Sequence, residues 1–189
     1  MASSTLLQAV AVTAELCGRT FSPEAAAVFV SDLDGFSEPA LLAALKRCRR
    51  EVRGVLTVQD VVSRIDDGRP GAEEAWAMVP KDEATTVVWT DEMREAYGVA
   101  SMLLQDDAIG ARMAFREAYT RLVSEARANA VPTKWSASLG HDSRSRDVVL
   151  LDAVAKGRLS FEHAKEFAPS LTMTAPSIKA IQGAVLRIA

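Results

Sequence analysis

Apolar positions recur every three or four residues through most of this chain. The clearest run is residues 37–65, SEPALLAALKRCRREVRGVLTVQDVVSRI. Leu41, Leu45, Cys48 and Val52 are spaced four, three and four apart, which puts one apolar stripe along one side of a helix. Ser37 is its expected cap, and Pro39 falls in the opening turn, where a missing N–H costs nothing. Gly54-Val55-Leu56 makes a corner. Thr57, with Asp60 three residues on in a near capping box, starts a second helix whose Val58, Val61, Val62 and Ile65 face inward.

Before this stretch the same periodicity predicts a helix over 4–16, with Leu6, Leu7, Val10, Ala14 and Cys17 on its inner side and Gly18 as its stop. Ser22-Pro23-Glu24 starts another, running through Leu33 and burying Val28 and Phe29, and Asp34-Gly35 turns the chain into the next. Four helices with short turns make a first domain, 1–66. The six residues 66–71 hold two glycines and a proline, a pattern that suits an exposed turn or short linker.

The second domain, 72–130, opens with a short helix over 72–78 bearing Trp76 and ended by Val79-Pro80. Residues 85–89, TTVVW, are the one β-like run; with no obvious partner they read as an extended connector that packs Val88 and Trp89 inward. Thr90 caps a helix to about 104. Asp107 begins the longest helix, to about 128, with Phe115, Tyr119, Leu122 and Ala126 on one side, and the two helices form a hairpin with an apolar seam. From 131 to 189 the pattern weakens into a partly flexible tail. Pro132, Ser136, Ser138, Gly140, Ser143 and Ser145 mark a mobile segment, followed by short helices over 146–156 and 160–167 and a weak amphipathic one over 176–189. The class read from the pattern is all-α.

Composition agrees: 49% of the 189 residues are hydrophobic, 25% charged and only 6% aromatic, which favours helices. The net charge of −3 is unevenly spread. Residues 1–71 hold 8 basic and 9 acidic groups, 72–130 hold 6 and 11, and 131–189 hold 8 and 5. That distribution excludes one uniform nucleic-acid surface but allows a local basic patch. Cys17 and Cys48 fall in apolar stripes and read as small buried hydrophobes in a reducing compartment. No apolar run approaches the roughly 18 residues of a membrane span. The N-terminal stretch has no basic region of the secretory kind, so a cytoplasmic protein without membrane contact is expected.

Catalytic patterns are missing from the sequence. It has no phosphate-cradling Gly-rich loop with its Lys, no Gly-x-Ser-x-Gly and no His-Glu-x-x-His. His141 and His163 have no cysteine nearby and do not make a metal site. Glu73-Glu74 and Asp106-Asp107 read as a solvated helix start and a helix cap. No enzyme, cofactor or metal is expected. The sharpest polar feature is Lys46, Arg47, Arg49, Arg50 and Arg53. At about 100° per residue Lys46, Arg49, Arg50 and Arg53 fall together beside the apolar stripe, with Arg47 further round. Three readings stand: a solvated face near a helix C-terminus, a site for nucleic-acid phosphate, or a site for an acidic protein. No aromatics interleave the arginines, so base stacking is not indicated. Trp135, with Leu139 and His141 after it, reads as an anchor for a partner's pocket. A helix-turn-helix built from 56–65 and 72–78 would put Glu73 and Glu74 in the major groove, against phosphate.

A short helical domain whose basic helix precedes a turn and a Leu56-Thr57-Val58-x-Asp60-Val61 closing helix resembles the phage replicative-helicase loader and inhibitor family, over about residues 6–65. Where that family would place a proline before the capping threonine, this chain has Leu56. The resemblance implies a non-enzymatic DNA-replication accessory protein of phage or prophage origin. Such a protein binds the replicative helicase, to load or restrain it, through its mobile C-terminal part. DNA binding through the basic helix is the alternative.

Overall fold

The computed structural model describes residues 3–169, 171 and 172, and the amphipathic pattern over 176–189 lies outside them. The protein is mostly helical, with one small two-stranded sheet among the described residues. No described helix is long and apolar enough to cross a membrane. Two compact units divide the chain: residues 1–69 with 123–132, and residues 70–122 with the chain from 133 on.

The first unit begins with α1 (Ser4–Leu16), α2 (Pro23–Ser31), α3 (Glu38–Glu51) and α4 (Val58–Val62). Capping chemistry sets the starts. Ser3 Oγ accepts from the Leu6 amide at 3.1 Å, Ser22 Oγ accepts from the Ala25 amide at 3.2 Å, and Thr57 with Asp60 makes a complete capping box at α4. Ser37 stands at the α3 cap without a capping bond; Glu38 there receives the Ser3 hydroxyl at 2.7 Å instead. The core gathers Leu6, Val10, Ala14 and Cys17 of the first helix with Phe29, Val30, Leu33, Leu41, Leu45, Cys48, Val61, Val62 and Ile65. Val28, expected inside, is 61% exposed, because the helix turns Phe29 and Val30 inward.

This unit is closed by residues distant in sequence. Arg69 has a side chain only 1% exposed. It donates to Asp67 at 2.6 Å and to the Val131 carbonyl at 3.1 Å. Arg127 meets the two carboxylate oxygens of Asp67 at 3.0 Å each. Gly35, at φ +100°, passes so close to Ala130 that a Cβ there would fall 2.7 Å from the Ala130 Cβ. The stretch expected as an exposed linker is therefore a tied turn: Arg69 and Pro70 are buried, and Asp67 binds two guanidiniums.

The second unit holds α5 (Ala72–Met78), β1 (Val87–Thr90), α6 (Asp91–Ser101), the larger part of α7 (Ala108–Ala128), β2 (Trp135–Ser138), α8 (Ser143–Ala155) and α9 (Phe161–Phe167). Thr90 Oγ1 caps α6 at 3.3 Å, and Asp107 caps the start of α7 through the Gly110 amide at 2.8 Å. Helix α6 stops at Ser101, short of the expected 104. The β-like run does have a partner. Strand β1 pairs antiparallel with β2, Val88 opposite Ala137 and Thr90 opposite Trp135. The partner was hidden because Trp-Ser-Ala-Ser has no β-branched residue and sits among turn formers.

Residues 133–169 consequently form part of the unit rather than a mobile tail. Leu150, Ala153 and Val154 of α8, Leu159, and Ala164 of α9 make one core with Val88. Gly140, read as a mark of mobility, serves close approach. Its amide donates to Thr86 Oγ1 at 3.0 Å, and a Cβ would fall 2.1 Å from the Ala84 carbonyl oxygen.

Candidate functional site

Helix α3 positions the basic residues. Leu41, Ala44, Leu45 and Cys48 are its buried residues, so the wheel places Lys46 and Arg50 on the side facing away from the core and Arg47 and Arg49 on the two flanks. Burial forces the apolar four inward, and the cations go where their solvation survives.

The five cations of the cluster are not equivalent. Arg49 donates to Thr13 Oγ1 at 2.8 Å, and Thr13, fully buried on α1, passes its own hydroxyl proton to the Ala9 carbonyl at 2.7 Å. Arg47 pairs with Glu51 one turn on at 3.5 Å and reaches the Arg64 carbonyl at 3.4 Å. Arg64 in turn binds Glu51 at 2.9 Å. These two arginines pin α3 to α1 and to the segment after α4. Lys46, Arg50 and Arg53 are exposed, and no described residue pairs with them by hydrogen bond or ion pair. Arg53 lies past the helix, since α3 ends at Glu51 and Val52 is already extended with ψ 130°. The expected face of Lys46, Arg49, Arg50 and Arg53 therefore contracts to Lys46 and Arg50 on the helix, with Arg53 in the turn that follows.

The turn after α3 exposes Val55 at 48%. No large apolar side chain of α3 is exposed, and the outward positions beside Lys46 and Arg50 include Ala43 and Pro39. Because Lys46 and Arg50 are one turn apart, about 6 Å along the axis, their charges repel slightly in the free protein. An anion between them relieves that repulsion.

The second predicted cluster is not brought together as a docking anchor. Trp135 lies in β2, packed against the α8–α9 core, and the Arg158 guanidinium sits 4.6 Å above its ring. Arg158 also donates to Glu74 at 3.2 Å, so the ring and cation are used inside the unit. Leu139 is 42% exposed, and His141 is 82% exposed with Glu83 at 3.7 Å. A mobile anchor is not what Trp135 makes, because strand pairing and Arg158 hold it inside the unit, while Leu139 and His141 lie just past β2 and stay exposed.

Other candidates resolve into structural roles. Glu73 binds Arg112 and Arg116, which holds its carboxyl below the usual range, and Asp107 caps α7. Cys17 and Cys48 are free and buried, and burial pushes the Cys48 thiol up to about 11, far from a reactive thiolate. Among the described residues no three His, Cys, Asp or Glu side chains lie together as metal ligands. Asp67, Arg69 and Arg127 escaped the sequence reading. Their one signal was two acids before a buried-turn Pro70, and nothing local points to residue 127. Comparison with protein-family models, with curated proteins and with solved structures finds no match for this chain.

Proposed function

We propose that this is a non-enzymatic DNA-replication accessory protein of phage type that attaches to a replicative helicase, to load or restrain it. Its α3 face meets an anionic surface of that assembly. The observation that supports the binding face is the split within one cluster: Arg47 and Arg49 are spent on internal partners, while Lys46, Arg50 and Arg53 are exposed with no partner among the described residues. Arg50 in the last turn suits the C-terminal end of the helix. Lys46 and Arg53 lie outside that turn, and an anionic ligand that meets all three gives the arrangement a use. The partner class rests on the resemblance of residues 6–65, in which a basic helix precedes a box-capped closing helix. With Trp135 engaged inside the second unit, the anion-binding contact is assigned to the cations of α3 and the turn after it.

The test is direct mixing of the full chain with a bacterial hexameric replicative helicase, read by size-exclusion chromatography with light scattering. A complex heavier than the helicase alone is expected at micromolar concentration in moderate salt. No mass increase at any ratio would contradict the helicase reading.

A further inference from the structure

We infer that the anionic partner of Lys46, Arg50 and Arg53 is the sugar-phosphate backbone of duplex nucleic acid, bound without regard to sequence. This rests on the reading above that the α3 face meets an anion, and it names that anion. An acidic protein partner would need an apolar centre, because protein interfaces draw their energy from buried aromatic and aliphatic anchors within a polar rim. Helix α3 exposes no large apolar side chain, only cations, Glu51, Ala43 and Pro39. The turn that carries Arg53 adds one half-exposed aliphatic, Val55, and no aromatic. A phosphate backbone needs no such anchor, since release of its condensed counterions supplies the binding energy.

Spacing favours the same ligand. Lys46 and Arg50 are about 6 Å apart along the helix axis, and Arg53 continues beyond it. That separation spans roughly two phosphate steps of one strand, each rising about 3.4 Å along the duplex, so the two helix cations can meet different phosphates of one backbone. Arg50 and Arg53 bring planar guanidiniums that grip phosphate oxygens in pairs, and Lys46 adds a point charge. No Asn or Gln stands among the three cations to read adenine, and no aromatic to stack on a base. The 11 acidic groups of residues 72–130 make that stretch a poor surface for phosphate.

The test uses the full chain and a fluorescent duplex of arbitrary sequence, followed by anisotropy at several salt concentrations. The wild type should bind, with log K falling linearly in log salt. A Lys46→Ala, Arg50→Ala, Arg53→Ala triple variant should bind about tenfold or more weakly, with a slope shallower by roughly 2 to 3, at about 0.9 per lost phosphate contact. A Lys81→Ala, Lys134→Ala variant removes exposed cations elsewhere and should bind duplex almost as the wild type does. Unchanged affinity and slope in the triple variant overturn the assignment, as does the absence of duplex binding by the wild type at low salt. Polyglutamate competing as well as duplex at equal charge overturns it in favour of an acidic protein. Helicase association is scored separately: a complex with helicase but no duplex binding sinks this inference alone, and duplex binding without helicase sinks only the proposed function.

Discussion

Two groups of cations in the first unit show what burial does to charge. Around Asp67, Arg69 and Arg127 are paired by one carboxylate, and the Arg69 side chain is almost wholly enclosed. On α3 and the turn after it, Lys46, Arg50 and Arg53 carry the same charge, are exposed, and have no partner among the described residues. A buried guanidinium is tolerable only when its partner is fixed, so the first group must hold the fold together. An exposed cation costs the fold almost nothing, so the second group is free to serve a ligand. Arg49 stands between them, exposed along its length but bonded at its tip to buried Thr13.

The comparison breaks most sharply at Asp67. Replacing Asp67→Asn leaves Arg69 and Arg127 enclosed without their counter-charge. The expected loss is about 3–5 kcal/mol of stability, measured by urea unfolding of the full chain. A loss below about 1 kcal/mol would show that the two arginines find other partners.

The same carboxylate gives a pH signature. Burial alone would raise the Asp67 pKa, but the bonds from Arg127 and Arg69 outweigh it and hold the group below its ordinary range. Its contribution is therefore complete above the unfolded value of about 3.9 and is lost as pH falls through the lower folded value. Stability of the wild type should drop below about pH 4 more steeply than that of Asp67→Asn. Parallel curves for the two proteins would remove Asp67 from the acid response.

Arg49→Ala sharpens the middle of the series. It strips Thr13 of one accepted hydrogen bond while its own bond to Ala9 survives, so about 1 kcal/mol is expected to be lost in the same unfolding measurement. A change within experimental scatter would place Arg49 with the outward cations.

Local signals made much of this molecule legible. The helix starts at Ser22, Thr57, Thr90 and Ser160 are each written in a side chain that reaches an amide three residues on, and the apolar stripes of α1 and α3 were visible at their correct spacing. On α7 the stripe held at Phe115 and Tyr119 but continues through Val123, with Leu122 and Ala126 half-buried. What depends on distant pairing was not visible. Strand β2 has no propensity of its own and exists because β1, 45 or more residues earlier, offers it an edge. The buried Arg69 likewise depends on Val131 and shares Asp67 with Arg127, some 60 residues away. The basic cluster was found as five residues, and its pairing of Arg47 with Glu51 follows from helical spacing. The occupation of Arg49 was decided by Thr13, 36 residues away, whose position only packing fixes.

The claim that position, not charge, separates these cations is tested most directly by measuring two properties of the Lys46→Ala, Arg50→Ala, Arg53→Ala variant together. Its unfolding free energy should stay within about 1 kcal/mol of the wild type, since exposed substitutions away from packed groups cost little. Its affinity for duplex nucleic acid should fall about tenfold or more in the same buffer. A variant that unfolds as easily as Asp67→Asn, or that binds duplex as the wild type does, would contradict the account.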